Sequence, residues 1–183
     1  MELITENTFE TAIVQSLVES GGYTQGNPKE YDPDSGLFKD EVISFLQGSQ
    51  PDNWEKISSV HGANVRDRII SRIIKEMDLR GSLDVIRNGF TDHGVRFRLA
   101  FFKPESGLNP ETQKLYDKNR LMIYRQVHYS TKNSNSVDLV ISLNGIPIAT
   151  MELKNRFTGQ NTSNAKFQYA TTRDNRELLF AFK

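Results

Sequence analysis

Ser136-Val137-Asp138-Leu139-Val140-Ile141-Ser142-Leu143-Asn144-Gly145-Ile146-Pro147-Ile148-Ala149-Thr150-Met151-Glu152-Leu153-Lys154-Asn155 decides the fold. Two apolar runs of strand length flank a turn signal, Asn144-Gly145. The first run opens near an acid, Asp138, and the second closes on Glu152-Leu153-Lys154. Side chains alternate along a strand, so Glu152 and Lys154 share one face while Met151 and Leu153 turn to the core. Asp138, Val140 and Ser142 share a face of the first strand. A two-residue turn pairs Leu143 with Ile146 and sets Asp138 opposite Met151, away from Glu152. The two acids meet only across a loop of three or five residues, or past a compensating bulge. A longer loop is therefore expected, against the Asn-Gly hairpin signal. Pro147 suits the start of a strand.

Two carboxylates brought together repel. A divalent cation relieves the repulsion and accepts a phosphate oxygen as a further ligand. Mg²⁺, or Mn²⁺ in its place, suits such a site, because it takes few carboxylates, keeps waters and binds substrate phosphate. The metal activates a water, and Lys154, two residues from Glu152, reaches that water or the phosphate. The plainer reading is a solvated strand end with a cross-strand ion pair. The apolar flanks favour the chemical one, since charge placed directly after buried strands is costly unless paired or metal-bound.

Outward from this core, the 183 residues suffice for one domain. Lys+Arg and Asp+Glu both number 23, so net charge is zero, which argues mildly against autonomous tight DNA binding. The absence of cysteine excludes disulfides, thiolate zinc sites and a cysteine nucleophile. No apolar run approaches a membrane span and the N-terminus is no signal peptide, so the expected compartment is the cytoplasm.

Helical periodicity marks residues 7–19, 40–46, 51–60 and 64–79, the last with a stripe of Val65, Ile69, Ile70, Ile73, Ile74 and Met77. Asn7 with Glu10 resembles a capping box. Residues 22–36 read as loop. The period then changes: Val95–Phe101, Leu121–Tyr129, 137–143 and 147–154 read as strands, 111–118 and 163–172 as helices, and 178–182 as a last strand with nothing after it. That ending suggests a piece of a longer chain. The expected class is α/β (α+β), with residues 1–90 mostly helical and 91–183 holding the sheet and a crossover helix, all in one domain.

Arg125-Gln126-Val127-His128-Tyr129, then Asn135-Ser136-Val137-Asp138-Leu139-Val140, Leu143-Asn144-Gly145-Ile146-Pro147 and Met151-Glu152-Leu153-Lys154-Asn155 resemble the N-terminal nuclease domain of type I restriction enzyme motor (R) subunits. This is a branch of the PD-(D/E)xK, restriction-endonuclease-like nucleases. Thr158-Gly159-Gln160-Asn161, Gln168-Tyr169 and Arg173-Asp174 fit the same pattern, as does Gly21-Gly22-Tyr23. The resemblance implies a mixed central sheet flanked by helices and an endonuclease acting on double-stranded DNA. It also implies modification and specificity subunits as partners and an ATP-driven motor further along the polypeptide. No Gly-x-x-x-x-Gly-Lys-Ser/Thr loop lies within these residues, so ATP belongs outside them. The resemblance places the metal on Asp138, Glu152 and the Leu153 carbonyl, and the catalytic amine on Lys154. Asn155, Gln168 and Tyr169 become candidates for contacting DNA or bracing the site, though the family's Gln-x-x-x-Tyr spacing is not kept here.

Glu10 has two readings, a capping-box carboxylate and an acid facing the metal. His61, His93 and His128 show no metal-ligand spacing and read as structural or surface residues. Arg66, Arg68, Arg72, Lys75 and Arg80 read as a solvated face or a phosphate-tracking stripe. Trp54 reads as a core anchor. Two alternatives stand beside the restriction nuclease: a repair or recombination nuclease of the same fold, and a non-catalytic docking or DNA-contact module.

Overall fold

A computed structural model describes residues 6–105, 109–154, 162–167, 170–171 and 173–181. The elements run α1 (Glu6–Ser20), β1 (Thr24–Gln25), α2 (Lys39–Ser49), α3 (Pro51–His61), α4 (Val65–Arg80), α5 (Ser82–Asn88), β2 (Phe90–Asp92), β3 (Val95–Phe97), α6 (Pro110–Tyr116), β4 (Leu121–His128), β5 (Ser136–Leu143), β6 (Ile146–Met151), α7 (Thr162–Phe167) and α8 (Leu178–Ala181). The chain is mixed α/β, with a four-stranded sheet ordered β1-β4-β5-β6 and a separate β2-β3 hairpin. Packing groups the described residues of Met1–Leu37, Leu121–Ser142 and Pro147–Ala181 in one unit, and those of Phe38–Arg120 and Leu143–Ile146 in a second.

In the first unit, Val14 of α1 packs with Ile123, Leu139 and Leu153, and Ile13, Leu17, Ile141 and Met151 close around them. Phe9 and Val18 of α1 are exposed. Gly21 ends α1 by donating to the Leu17 carbonyl. Residues 22–36 are not wholly loop: β1 pairs in parallel with β4, Thr24 opposite Met122 and Gln25 opposite Ile123. Gly26 extends this edge, donating to the Ile123 carbonyl at 3.0 Å. A Cβ on Gly26 would stand 2.2 Å from the Tyr124 ring, which is fully buried and has nowhere to go. Gly26→Ala is therefore expected to lower unfolding free energy by about 1–3 kcal/mol through overpacking, measured by urea denaturation.

The expected last strand at 178–182 is instead α8. Asp174 accepts from the Glu177 amide, and the amides of Phe180 and Ala181 donate to the Glu177 carbonyl, winding the segment while Leu179 is buried. A short apolar run does not by itself separate strand from buried helix.

The second unit has its core in Val42, Phe45 and Leu46 of α2, Ile57 of α3, Ile69 and Ile73 of α4, Val85, Phe97 and Leu99. Ile57, rather than the half-buried Trp54, is the core residue of α3. The strand expected over Val95–Phe101 stops at Phe97. Beyond it, side-chain amides replace a neighbouring strand. Gln50 accepts from the Arg98 amide at 2.8 Å and donates to its carbonyl at 2.9 Å, and Asn119 does the same for Phe101. The β2-β3 hairpin, not expected from the sequence, pairs Phe90 with Phe97, whose rings stack 5.4 Å apart.

The loop between β5 and β6 is two residues long, not three or five. Asn144 (φ 53°) and Gly145 (φ 84°) take the left-handed conformations of a type I′ turn. Asn144 is buried and nearly saturated. Its amide donates to the Leu99 carbonyl at 2.9 Å and to Asn119, and its side-chain oxygen accepts from the Arg120 amide at 2.7 Å. A Cβ at Gly145 would lie 2.6 Å from the Val42 backbone nitrogen, so the tip admits no other residue.

Candidate active site

Strict alternation from a two-residue turn would put Met151 on the Asp138 face. Met151 packs against the cluster of Val14, Ile123, Leu139 and Leu153. The chain then leaves the ladder, and the freed Leu153 amide donates to Asp138 Oδ2 at 2.6 Å. A carboxylate takes the place of the next strand carbonyl.

A cavity of about 510 Å³ in the first unit is lined by Asn7, Glu10, Arg125, Gln126, Asp138 and Leu153. Glu10 is 5% exposed, and both its oxygens are engaged, by Arg125 Nε at 2.5 Å and Gln126 Nε2 at 2.9 Å. It is not a capping-box carboxylate: α1 begins before Asn7, and Asn7 Oδ1 accepts from Arg125 at 2.9 Å. Gln126 Nε2 also reaches Asp138 Oδ1 at 3.2 Å, so one amide bridges two acids. That bridge depends on an unusual backbone, because Gln126 has φ 51° in the middle of β4. A non-glycine residue held there costs roughly 1–3 kcal/mol and is typical of functional sites.

Glu152 belongs to a second network. Its Oε1 accepts from Lys154 Nζ at 3.2 Å and its Oε2 from Arg173 Nη2 at 2.7 Å. The Glu152 and Arg173 side chains are 6% and 7% exposed, so this is a buried ion pair. Arg173 Nη1 donates to the Tyr129 hydroxyl at 2.7 Å, and its guanidinium lies 5.2 Å from that ring's centroid. Burial alone would depress the Arg173 pKa. The Tyr129 hydroxyl and the Glu152 carboxylate outweigh it and raise the pKa above its ordinary value, so the group stays charged.

Glu10, Asp138, Glu152, Leu153 and Lys154 therefore gather in the first unit, in two networks that meet at the 152–153 backbone. Asn155, Gln168 and Tyr169 lie outside the described residues. Sequence reasoning gave no role to Gln126, Arg125, Tyr129 or Arg173, although all four fell inside the motifs quoted above. The signal was there: an arginine and a glutamine side by side in an otherwise apolar strand need partners. Among the described residues, three His, Asp or Glu ligand atoms lie within 4.8 Å of one another only at His61, Asp92 and His93. His61 and His93, read from the sequence as structural or surface residues without metal-ligand spacing, are joined through Asp92.

Residues 4–183 match the family model described as type I restriction enzyme R protein N terminus. The chain belongs to this family. Neither the comparison with curated proteins nor that with solved structures gives a match, so the assignment rests on this family model. It favours a restriction R subunit over a repair or recombination nuclease. No helix among the described residues is long and apolar enough to cross a membrane.

Proposed function

We propose that this R-protein N-terminal region is a metal-dependent endonuclease that hydrolyses phosphodiester bonds of double-stranded DNA, and that residues 1–183 act as one nuclease domain. The observation that carries the reading is the Asp138 carboxylate at the Leu153 amide, which sets an acid from β5 beside the Glu152-Leu153-Lys154 backbone. The donor set is oxygen only and fits Mg²⁺ or Mn²⁺: Asp138, Glu152 and the Leu153 carbonyl, with Glu10 across the Gln126 bridge. When bound, the ion supplies a Lewis acid for the phosphate and an acidified water. The residues do the rest. Lys154, 3.2 Å from Glu152 Oε1, is placed to orient a water beside that carboxylate and to offset charge growing on the phosphate. Arg125 holds Glu10 in place. Gln126 fixes the spacing of Glu10 and Asp138.

Within a type I system this domain would work with modification and specificity subunits, which recognise the DNA, and with an ATP-driven motor in the same polypeptide. A second reading has an observation of its own: Glu152 is engaged by Arg173 rather than shared with Asp138, as in a module kept for docking. Mn²⁺ calorimetry on the intact R subunit separates the two. The nuclease reading expects a binding event lost in Asp138→Asn and Glu152→Gln but kept in His93→Asn. Identical isotherms for wild type and both acid variants would favour the docking module.

A further inference from the structure

His61 closes α3, and His93 sits at the tip of the β2-β3 hairpin next to Asp92. The Asp92 carboxylate joins them: Oδ2 lies 2.5 Å from His61 Nε2 and Oδ1 lies 3.3 Å from His93 Nδ1. The two rings meet edge to face at 4.9 Å. One atom from each of the three side chains falls within 4.8 Å of the other two. His93 adopts φ 44° ahead of Gly94 at φ 80°, the first place of a two-residue turn, where asparagine or glycine is usual. The strained backbone brings the imidazole to the carboxylate. Burial pushes the Asp92 carboxyl up, but the hydrogen bonds and charges of His61 and His93 outweigh it and hold the pKa below the usual range.

The trio lines a cavity of about 540 Å³ together with Arg68, Arg72 and Lys75 of α4. Arg72 is balanced by Glu76 at 2.8 Å. Arg68 and Lys75 have no acid partner among the described residues. Two imidazoles and one carboxylate are a zinc-type ligand set, three protein ligands with one position left over, and unlike the all-oxygen sites of Mg²⁺. Unpaired cations beside a divalent ion are unfavourable unless an anion lies between them. We propose that His61, Asp92 and His93 bind a zinc-class divalent ion whose open position faces this cavity and takes a phosphate oxygen, with Arg68 and Lys75 neutralising the phosphate. Ligand distances of roughly 2.0–2.1 Å would spread His61 Nε2 and Asp92 Oδ2 by less than about 1 Å, a side-chain adjustment. The site shares no residue with the proposed nuclease centre and stands or falls without it.

The test is Zn²⁺ calorimetry and Co²⁺ absorption on the intact, metal-stripped polypeptide. His61→Ala is expected to abolish one binding event. His93→Asn, which suits the turn and preserves the fold, should weaken it at least about tenfold, and Asp138→Asn should leave it unchanged. The visible Co²⁺ bands should shift with inorganic phosphate or a short DNA duplex. A shift with phosphate alone identifies free phosphate as the ligand, and a shift with duplex at far lower concentration identifies the nucleic-acid backbone. Equal Zn²⁺ affinity in wild type and both histidine variants would overturn the site. Bands unmoved by either anion would overturn its open position.

Discussion

Asp138→Asn and Glu152→Gln are each expected to reduce DNA cleavage by the assembled restriction enzyme at least about 10³-fold, roughly 4 kcal/mol of transition-state stabilisation. ATP hydrolysis and the folded state should be unchanged. The amide variants are cleaner than alanine for a structural reason. An asparagine at 138 still offers an oxygen to the Leu153 amide, now 2.6 Å from Asp138 Oδ2. A glutamine at 152 still offers one to Arg173, which alanine would leave buried and unpaired. What the amides remove is negative charge, and charge is what would hold a divalent ion against a phosphate. Lys154→Ala acts differently. It spares the ligands but loses the amine, so cleavage should fall with the metal affinity kept. Cleavage at wild-type rate by the triple variant Asp138→Asn/Glu152→Gln/Lys154→Ala, measured on plasmid DNA, would end the catalytic reading.

Arg173→Ala should cost about 3–5 kcal/mol of folding stability in chemical denaturation. Removing one member of a buried ion pair strands the other, and the Glu152 side chain is 6% exposed. Lys154, at 3.2 Å, relieves part of the penalty, which puts the expected value toward the lower end. The Tyr129 hydroxyl loses its donor in the same step. A paired replacement, Glu152→Met with Arg173→Met, should recover much of the loss, because apolar side chains of similar length need no compensation there. A loss under about 1 kcal/mol for Arg173→Ala would mean that Glu152 is already solvated. The pair also defines a choice for Glu152. Held by Arg173, it is a structural carboxylate; under the nuclease reading it would turn toward Asp138 to take a metal.

The elements legible in the sequence were those whose periodicity spans several turns or strand residues. The Ile69, Ile70 and Ile73 stripe declared α4, and the two apolar runs around Asn144-Gly145 declared β5 and β6. What was missed depended on partners distant in the chain. Two residues of β1 become a strand only because β4 runs beside them. Val95–Phe101 lost half its strand to the amides of Gln50 and Asn119, which no period reveals. The turn was the instructive error. Asn-Gly already specified two residues, and the requirement that Asp138 and Glu152 share a face was given too much weight against it. The Asn144-Gly145 turn keeps its two residues, and β6 ends at Met151, ahead of Glu152. The acids of the candidate site were legible as a spacing. Their supports were not, because Arg125, Gln126 and Arg173 earn their roles from contacts with Glu10, Asp138 and Glu152 across the fold. His61 and Asp92 stand 31 residues apart and met only when the β2-β3 hairpin formed.

Anomalous diffraction from crystals of the R subunit grown with Mn²⁺ addresses the account most directly. An anomalous peak within about 2.5 Å of Asp138, Glu152 and the Leu153 carbonyl, with Glu152 turned from Arg173, is the predicted result. Saturating Mn²⁺ with no peak there, and Glu152 still paired to Arg173, would contradict it.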